Sequence, residues 1–211
     1  MKRLTGLQQK LLYIAPFPPL ALFKIWAAPG RTPESLLIAA GLMLVYCIVV
    51  IIVSFILDKP TYFDWAVAAY FAIAACLLYT MPEKVGPFLR EHAITGIYST
   101  LFAVAFLPPI FRLDPFTYHY AKKTAPKEFW DHPIFININR IMTYAWAGIF
   151  AVCIAISLYP SLYTRALIPI ALILGIGIPF NMRFPDYYLK RMGLPSRKGL
   201  RVITDEENSR K

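Results

Sequence analysis

Apolar runs long enough to cross a lipid bilayer, separated by short polar intervals, make up most of this chain. A bilayer core of roughly 30 Å takes about 20 apolar residues of helix. The runs Leu36 to Leu57, Phe63 to Met81, Ala93 to Phe111 and Ile141 to Tyr159 meet that length. A fifth, Ala166 to Phe180, meets it by borrowing Leu162 to Arg165 and Asn181 to Met182. The sixth, Leu11 to Ala28, is interrupted by Pro16, Pro18, Pro19 and Lys24. Such breaks survive in lipid only where neighbouring helices or water satisfy the freed carbonyls.

The pattern therefore predicts an all-α fold, a polytopic membrane helix bundle over residues 1–192 with six transmembrane helices, or five if the proline-rich segment does not span. Residues 112–140 read as a polar connector between spans, and 193–211 as a basic, flexible tail. No clean apolar run is followed by a small-residue cleavage site, so no cleaved leader is expected.

Composition agrees: 58% of the 211 residues are hydrophobic and mean hydropathy is +0.53, against about 45–50% apolar residues in soluble domains. The net charge of +10 sharpens the picture. With six spans and the N-terminus inside, seventeen of the twenty-two Lys and Arg residues fall on one side, and only Arg31, Lys84, Arg90 and Arg165 on the other. The positive-inside bias then puts both termini and the 112–140 connector in the cytoplasm. Charge clustered this way answers to anionic headgroups, and a nucleic-acid partner is not expected.

Candidate chemistry is sparse. Cys47, Cys76 and Cys153 each sit alone in an apolar run, and His92, His119 and His132 lie outside the middle of every span. Neither metal nor haem ligation is suggested, since both need ligands converging at set spacings. Asp114, Asp131 and Asp186 are isolated from one another, unlike the acid-rich motifs that hold Mg²⁺ on a phosphate substrate. No catalytic residue and no cofactor is predicted, and Asp131–His132–Pro133 reads as a turn or helix boundary. A transport site would need an ionisable group at membrane depth, for which Lys24 is the candidate, or a broken helix such as GIGIPF at Gly175 to Phe180.

The connector DPFTYHYAKKTAPKEFWDHPIFININR carries Lys122, Lys123 and Lys127 among Phe116, Tyr118, Tyr120, Phe129 and Trp130. Rings at the interface and ammonium groups on phosphate are what a headgroup-level segment needs. Beyond it, Asn137, Asn139 and Arg140 lead into a span where Thr143, Trp146, Ala147 and Phe150 share one face, with small residues permitting close helix approach. Lys122, Lys123, Lys127, Trp130, Asn139, Arg140 and Trp146 are the predicted contacts to headgroups or a partner protein.

At this junction, FWDHPIFININRIMTYAWAGIF, the chain resembles the intracellular septation protein A family and related multi-pass bacterial membrane proteins. The residues that carry the resemblance are Trp130, Asn139, Ala145, Trp146, Ala147 and Phe150, with a looser match over Phe88 to Phe106. The order of spans agrees over Leu11 to Tyr159, whereas the connector is longer and the ending FPDYYLKRMGLPSRKGLRVITDEENSRK is distinct. The resemblance implies a small inner-membrane helix bundle with a role in septation or envelope maintenance and no catalytic residues.

Two other readings stand beside this non-enzymatic one. The first is a small transporter or channel built on Lys24 and GIGIPF. The second is a membrane subunit of a redox or lipid-modifying complex, with quinone or lipid near Trp130, His132 and Trp146.

Overall fold

The computed structural model of the protein describes residues 17–26, 32–57, 59–122, 125, 127–159, 161, 164 and 167–195, and among these every regular element is helical. In chain order they are α1 (Phe17–Trp26), α2 (Pro33–Leu57), α3 (Tyr62–Thr80), α4 (Pro82–Ile110), the short α5 (Phe116–Lys122), a 3₁₀ turn (Lys127–Phe129) and α6 (Pro133–Ser157). A last helical run follows, made of α7 (Ile168–Leu172), a π-helical turn (Ile173–Gly177) and α8 (Ile178–Arg191). Five of these are long and apolar enough to cross a membrane: α2, α3, α4, α6 and the α7–α8 run. The sixth expected span is described only over α1, ten residues and too short to cross, and the rest of Leu11 to Ala28 lies outside the described residues.

Contacts divide the chain into two units, Met1–Val104 and Ala105–Lys211, the boundary falling inside α4. In the first unit α2, α3 and α4 are joined by the shortest of links. The α3 start is fixed by a capping box: Asp64 N donates to Thr61 Oγ1 at 3.4 Å, and Asp64 Oδ2 accepts from Thr61 N at 2.6 Å. Each side chain thereby satisfies a backbone donor that the first turn leaves over. Asp64 is buried as a result.

Only Met81 separates α3 from α4, because Pro82 occupies a first-turn position where no amide hydrogen is missed. The helix thus begins eleven residues before the apolar run at Ala93, carrying Glu83, Lys84, Arg90 and Glu91 in its polar opening turns. Hydropathy delimits what can sit in lipid, whereas Lys, Glu and Arg propagate a helix well in water. Tyr70 ties the two helices by donating to the Ala93 carbonyl at 3.2 Å, its ring resting where a side chain at Gly96 would be. Phe23 of α1 completes this core, edge-on to Phe71 at 5.3 Å and fully buried.

In the second unit α6 and the α7–α8 run lie antiparallel, with α5 folded against the first turns of α6. The Pro108–Pro109 pair lies in the last turn of α4, which ends in a Schellman motif. Leu113 N reaches Pro108 O at 2.8 Å and Arg112 N reaches Pro109 O at 3.3 Å, which requires Arg112 at φ 59°. The same arrangement closes α8 with Gly193 at φ 71°.

Candidate functional site

The polar interval before the Ile141 to Tyr159 run is mostly helical among the described residues. The notable difference from the expected connector is that α6 starts at Pro133, so Pro133 to Arg140 form its first two turns. The cap is His132, whose extended backbone (φ −72°, ψ 129°) precedes Pro133 and whose Nδ1 accepts from Ile134 N at 3.3 Å. Asp131–His132–Pro133 is thus a helix boundary, as the proline implied. The accepting nitrogen is engaged in the cap.

Upstream, α5 turns its apolar face inward. Phe116, Thr117 and Tyr118 are buried, so the alternating aromatics divide between packing and exposure rather than all lying at an interface. Thr117 is the pivot: its hydroxyl donates to the Asn139 carbonyl at 2.7 Å and lies 2.7 Å from Thr143 Oγ1. A hydroxyl carries one proton, so Thr143 is the donor in the second bond. Asn139 sends its Nδ2 back to Phe135 O at 2.8 Å, and its buried Oδ1 has no hydrogen-bond partner.

Lys122 is held by its own protein. Its ammonium lies 3.9 Å from the Tyr118 ring centroid, 5.4 Å from that of Trp130 and 3.7 Å from Asp114 Oδ2. The two rings are themselves fixed, Tyr118 Oη donating to Trp130 O at 2.8 Å and Trp130 Nε1 to Ala125 O at 3.1 Å. The lysine sits between two π faces and a carboxylate, a cage in which Tyr118 is buried, Lys122 and Trp130 are half-buried and Asp114 is exposed. Lys127, in the 3₁₀ turn, and Arg140, on α6, are exposed. Lys123 and the Lys24 side chain lie outside the described residues.

Deeper along α6, Thr143, Ala147 and Phe150 are buried on one face, and Trp146 reaches across to α7–α8. Its ring fills the space beside Gly177: a Cβ there would meet Trp146 Cη2 at 2.7 Å and Ile149 Cδ1 at 3.3 Å. One turn on, Trp146 Nε1 donates to Asn181 Oδ1 at 3.3 Å. Toward the other end of the pair, Asn137 Nδ2 donates to Tyr188 Oη at 2.7 Å, and Leu189 packs on Ile138 and Met142. These contacts bury Gly177 of GIGIPF, whereas Gly175, Ile176 and Ile178 remain exposed.

The structure thus brings Lys122, Trp130 and Asn139 into one folded module around the start of α6, and pairs Trp146 with α7–α8 some two turns further along. Sequence reasoning passed over Thr117, Asn181 and Tyr188, and took Gly177 only as part of a broken helix. The signal was the unpaired amide and hydroxyl of Asn137 and Thr143 at the margin of an apolar run, each of which requires a partner from another element. No protein-family model, curated protein or solved structure matches the chain.

Proposed function

We propose that this chain is a non-enzymatic, multi-pass protein of a bacterial inner membrane that presents a prefolded cationic and aromatic module at the cytoplasmic face, in the service of septation or envelope maintenance. The observation that carries the reading is the fixed geometry around Lys122: Tyr118, Trp130 and Asp114 hold the cation while Thr117 pins its helix to α6. A segment that served only to join two spans would gain nothing from being ordered, because fixing a backbone costs about 1–2 kcal/mol per residue. The resemblance over Trp130 to Phe150 supports the envelope role, and the polarised Lys and Arg support the orientation.

A deletion strain tests this. Cells lacking the protein are expected to misplace septa or leak periplasmic markers. The wild-type chain should restore them, and the chain carrying Lys122→Ala with Trp130→Ala should not. Normal septation and an intact envelope in the deletion strain would sink the proposal.

A further inference from the structure

Helix α8 carries a surface that the function above leaves unused. Arg183, Tyr187, Lys190 and Arg191 recur at i, i+4, i+7 and i+8, the spacing that aligns side chains in one stripe, and all four are exposed. Pro185 and Leu189 are buried on the opposite side, so the helix is amphipathic with its cations outward. Asp186 is the only acid in α8 and lies on the flank of the stripe, half-buried.

Two features separate this from an ordinary solvated face. Lys190 and Arg191 stand in the last turn, where cations also offset the helix dipole, but that effect fades within one turn and Arg183 lies two turns earlier. The rotation of α8 is also fixed, since Trp146 holds Asn181, Asn137 holds Tyr188, and Leu189 is seated on Ile138 and Met142. The stripe therefore cannot turn inward. It begins where the apolar run ends, at Met182, and so stands at headgroup height with Tyr187 as an interfacial ring.

We infer that Arg183, Lys190 and Arg191 form a binding stripe for the phosphodiester headgroups of anionic phospholipids in the leaflet into which α8 emerges. Guanidinium groups suit this ligand because their planar donor forks match two phosphate oxygens at once. The inference rests on the reading of the chain as a multi-pass membrane protein.

The test uses the full chain purified in a mild non-ionic detergent and offered equal amounts of phosphatidylglycerol and phosphatidylcholine, with retained lipid counted by mass spectrometry. The wild type should retain phosphatidylglycerol preferentially. Each lost charge should weaken that preference by roughly fivefold at most, so Arg183→Gln/Lys190→Gln/Arg191→Gln should lower it by tenfold or more. Arg183→Lys/Arg191→Lys should keep most of it, and Lys84→Gln, an exposed cation of α4 outside the stripe, should leave it unchanged. A triple variant that melts within a few degrees of wild type yet keeps its lipid preference overturns the inference. So does displacement of the lipid by millimolar inorganic phosphate alone, or a photo-crosslinker at Tyr187 that captures one discrete protein while the lipid preference survives the triple substitution. Alkaline carbonate separates the two levels: if it strips the protein from membranes both readings fall, whereas a carbonate-resistant protein with no lipid preference defeats this inference alone.

Discussion

Trp146 occupies the volume that any side chain at Gly177 would need, its Cη2 2.7 Å and Cζ3 2.8 Å from where a Cβ would stand. Neither atom can yield without moving a ring that also donates to Asn181. Gly177→Ala is therefore expected to cost about 1–3 kcal/mol, the range for overpacking a filled contact. In a Trp146→Ala background the same change should cost well under half of that. Thermal melts of the four proteins in micelles check this, and equal costs in both backgrounds would show that the ring and the glycine are not coupled.

Thr117 supports α5 through two bonds, one to the Asn139 carbonyl and one from Thr143. Replacing it by Val buries the partners unsatisfied, at about 1–3 kcal/mol, whereas Thr143→Val removes one donor and should cost about 1 kcal/mol. The double variant should cost less than the two singles together, by at least 0.5 kcal/mol on the scale usual for groups in one network. Detachment of α5 has its own readout: trypsin should cut after Lys122 or Lys127 several times faster in Thr117→Val than in wild type.

For Lys122 the expectation is modest. Its carboxylate partner Asp114 is half exposed, so the ion pair itself contributes little, and most of the effect rests on the Tyr118 and Trp130 rings. Lys122→Met, which keeps the aliphatic stem, should destabilise the fold by about 0.5–1 kcal/mol. Asp114→Asn should cost less than Lys122→Met. A larger loss in Asp114→Asn would mean that the carboxylate, not the rings, holds the cation.

The two Schellman ends offer opposite substitutions. Arg112 adopts φ 59° without being glycine, and Gly193 adopts φ 71° with the residue type that favours it. Arg112→Gly should stabilise by a few tenths to about 1 kcal/mol and Gly193→Ala should destabilise by about 1 kcal/mol, since a Cβ is penalised in the left-handed region. Melting temperatures that shift in the same direction for both variants would contradict this account of the helix ends.

Much of the fold was legible because lipid imposes a simple rule on sequence. Leu36 to Leu57 and Phe63 to Met81 coincide with α2 and α3 to within a few residues, since in both places charge, proline or a cap lies where the apolar run stops. The starts of α4 and α6 were missed for a common reason. Their polar opening turns, Pro82 to His92 and Pro133 to Arg140, are helical without being hydrophobic, and each announces itself only through a proline at the first helical position.

The Thr61-x-x-Asp64 cap was also readable, though Asp64 presents itself first as an interfacial charge. Of the candidate residues, Trp146 and Asn139 stood out because a polar group in an apolar helix requires a partner. Which partner it finds was not legible: Asn181 reaches Trp146 through the antiparallel register of separate helices, whereas the Asn139 amide turns back to Phe135 O and it is its backbone carbonyl that Thr117 engages. The cage around Lys122 was hidden for another reason: Lys–aromatic alternation fits an interface and a folded cage equally well, and the bonds that fix the rings, Tyr118 to Trp130 O and Trp130 to Ala125 O, are not written in that alternation.

The π-helical turn at Ile173–Gly177 sets the phase of everything after it. A turn of this kind holds one residue more than an α-turn, which offsets the following helix by about 100° about its axis. Asn181 and Leu189 face α6 in this phase, and without the offset they would be turned about 100° away from it. Removing one residue, such as Leu174, would let the run relax to continuous α-helix and turn Asn181 and Leu189 off α6. The turn is thus an inserted residue acting as a phase shifter, and by it a single-residue change in length governs which face this helix shows to the bilayer surface.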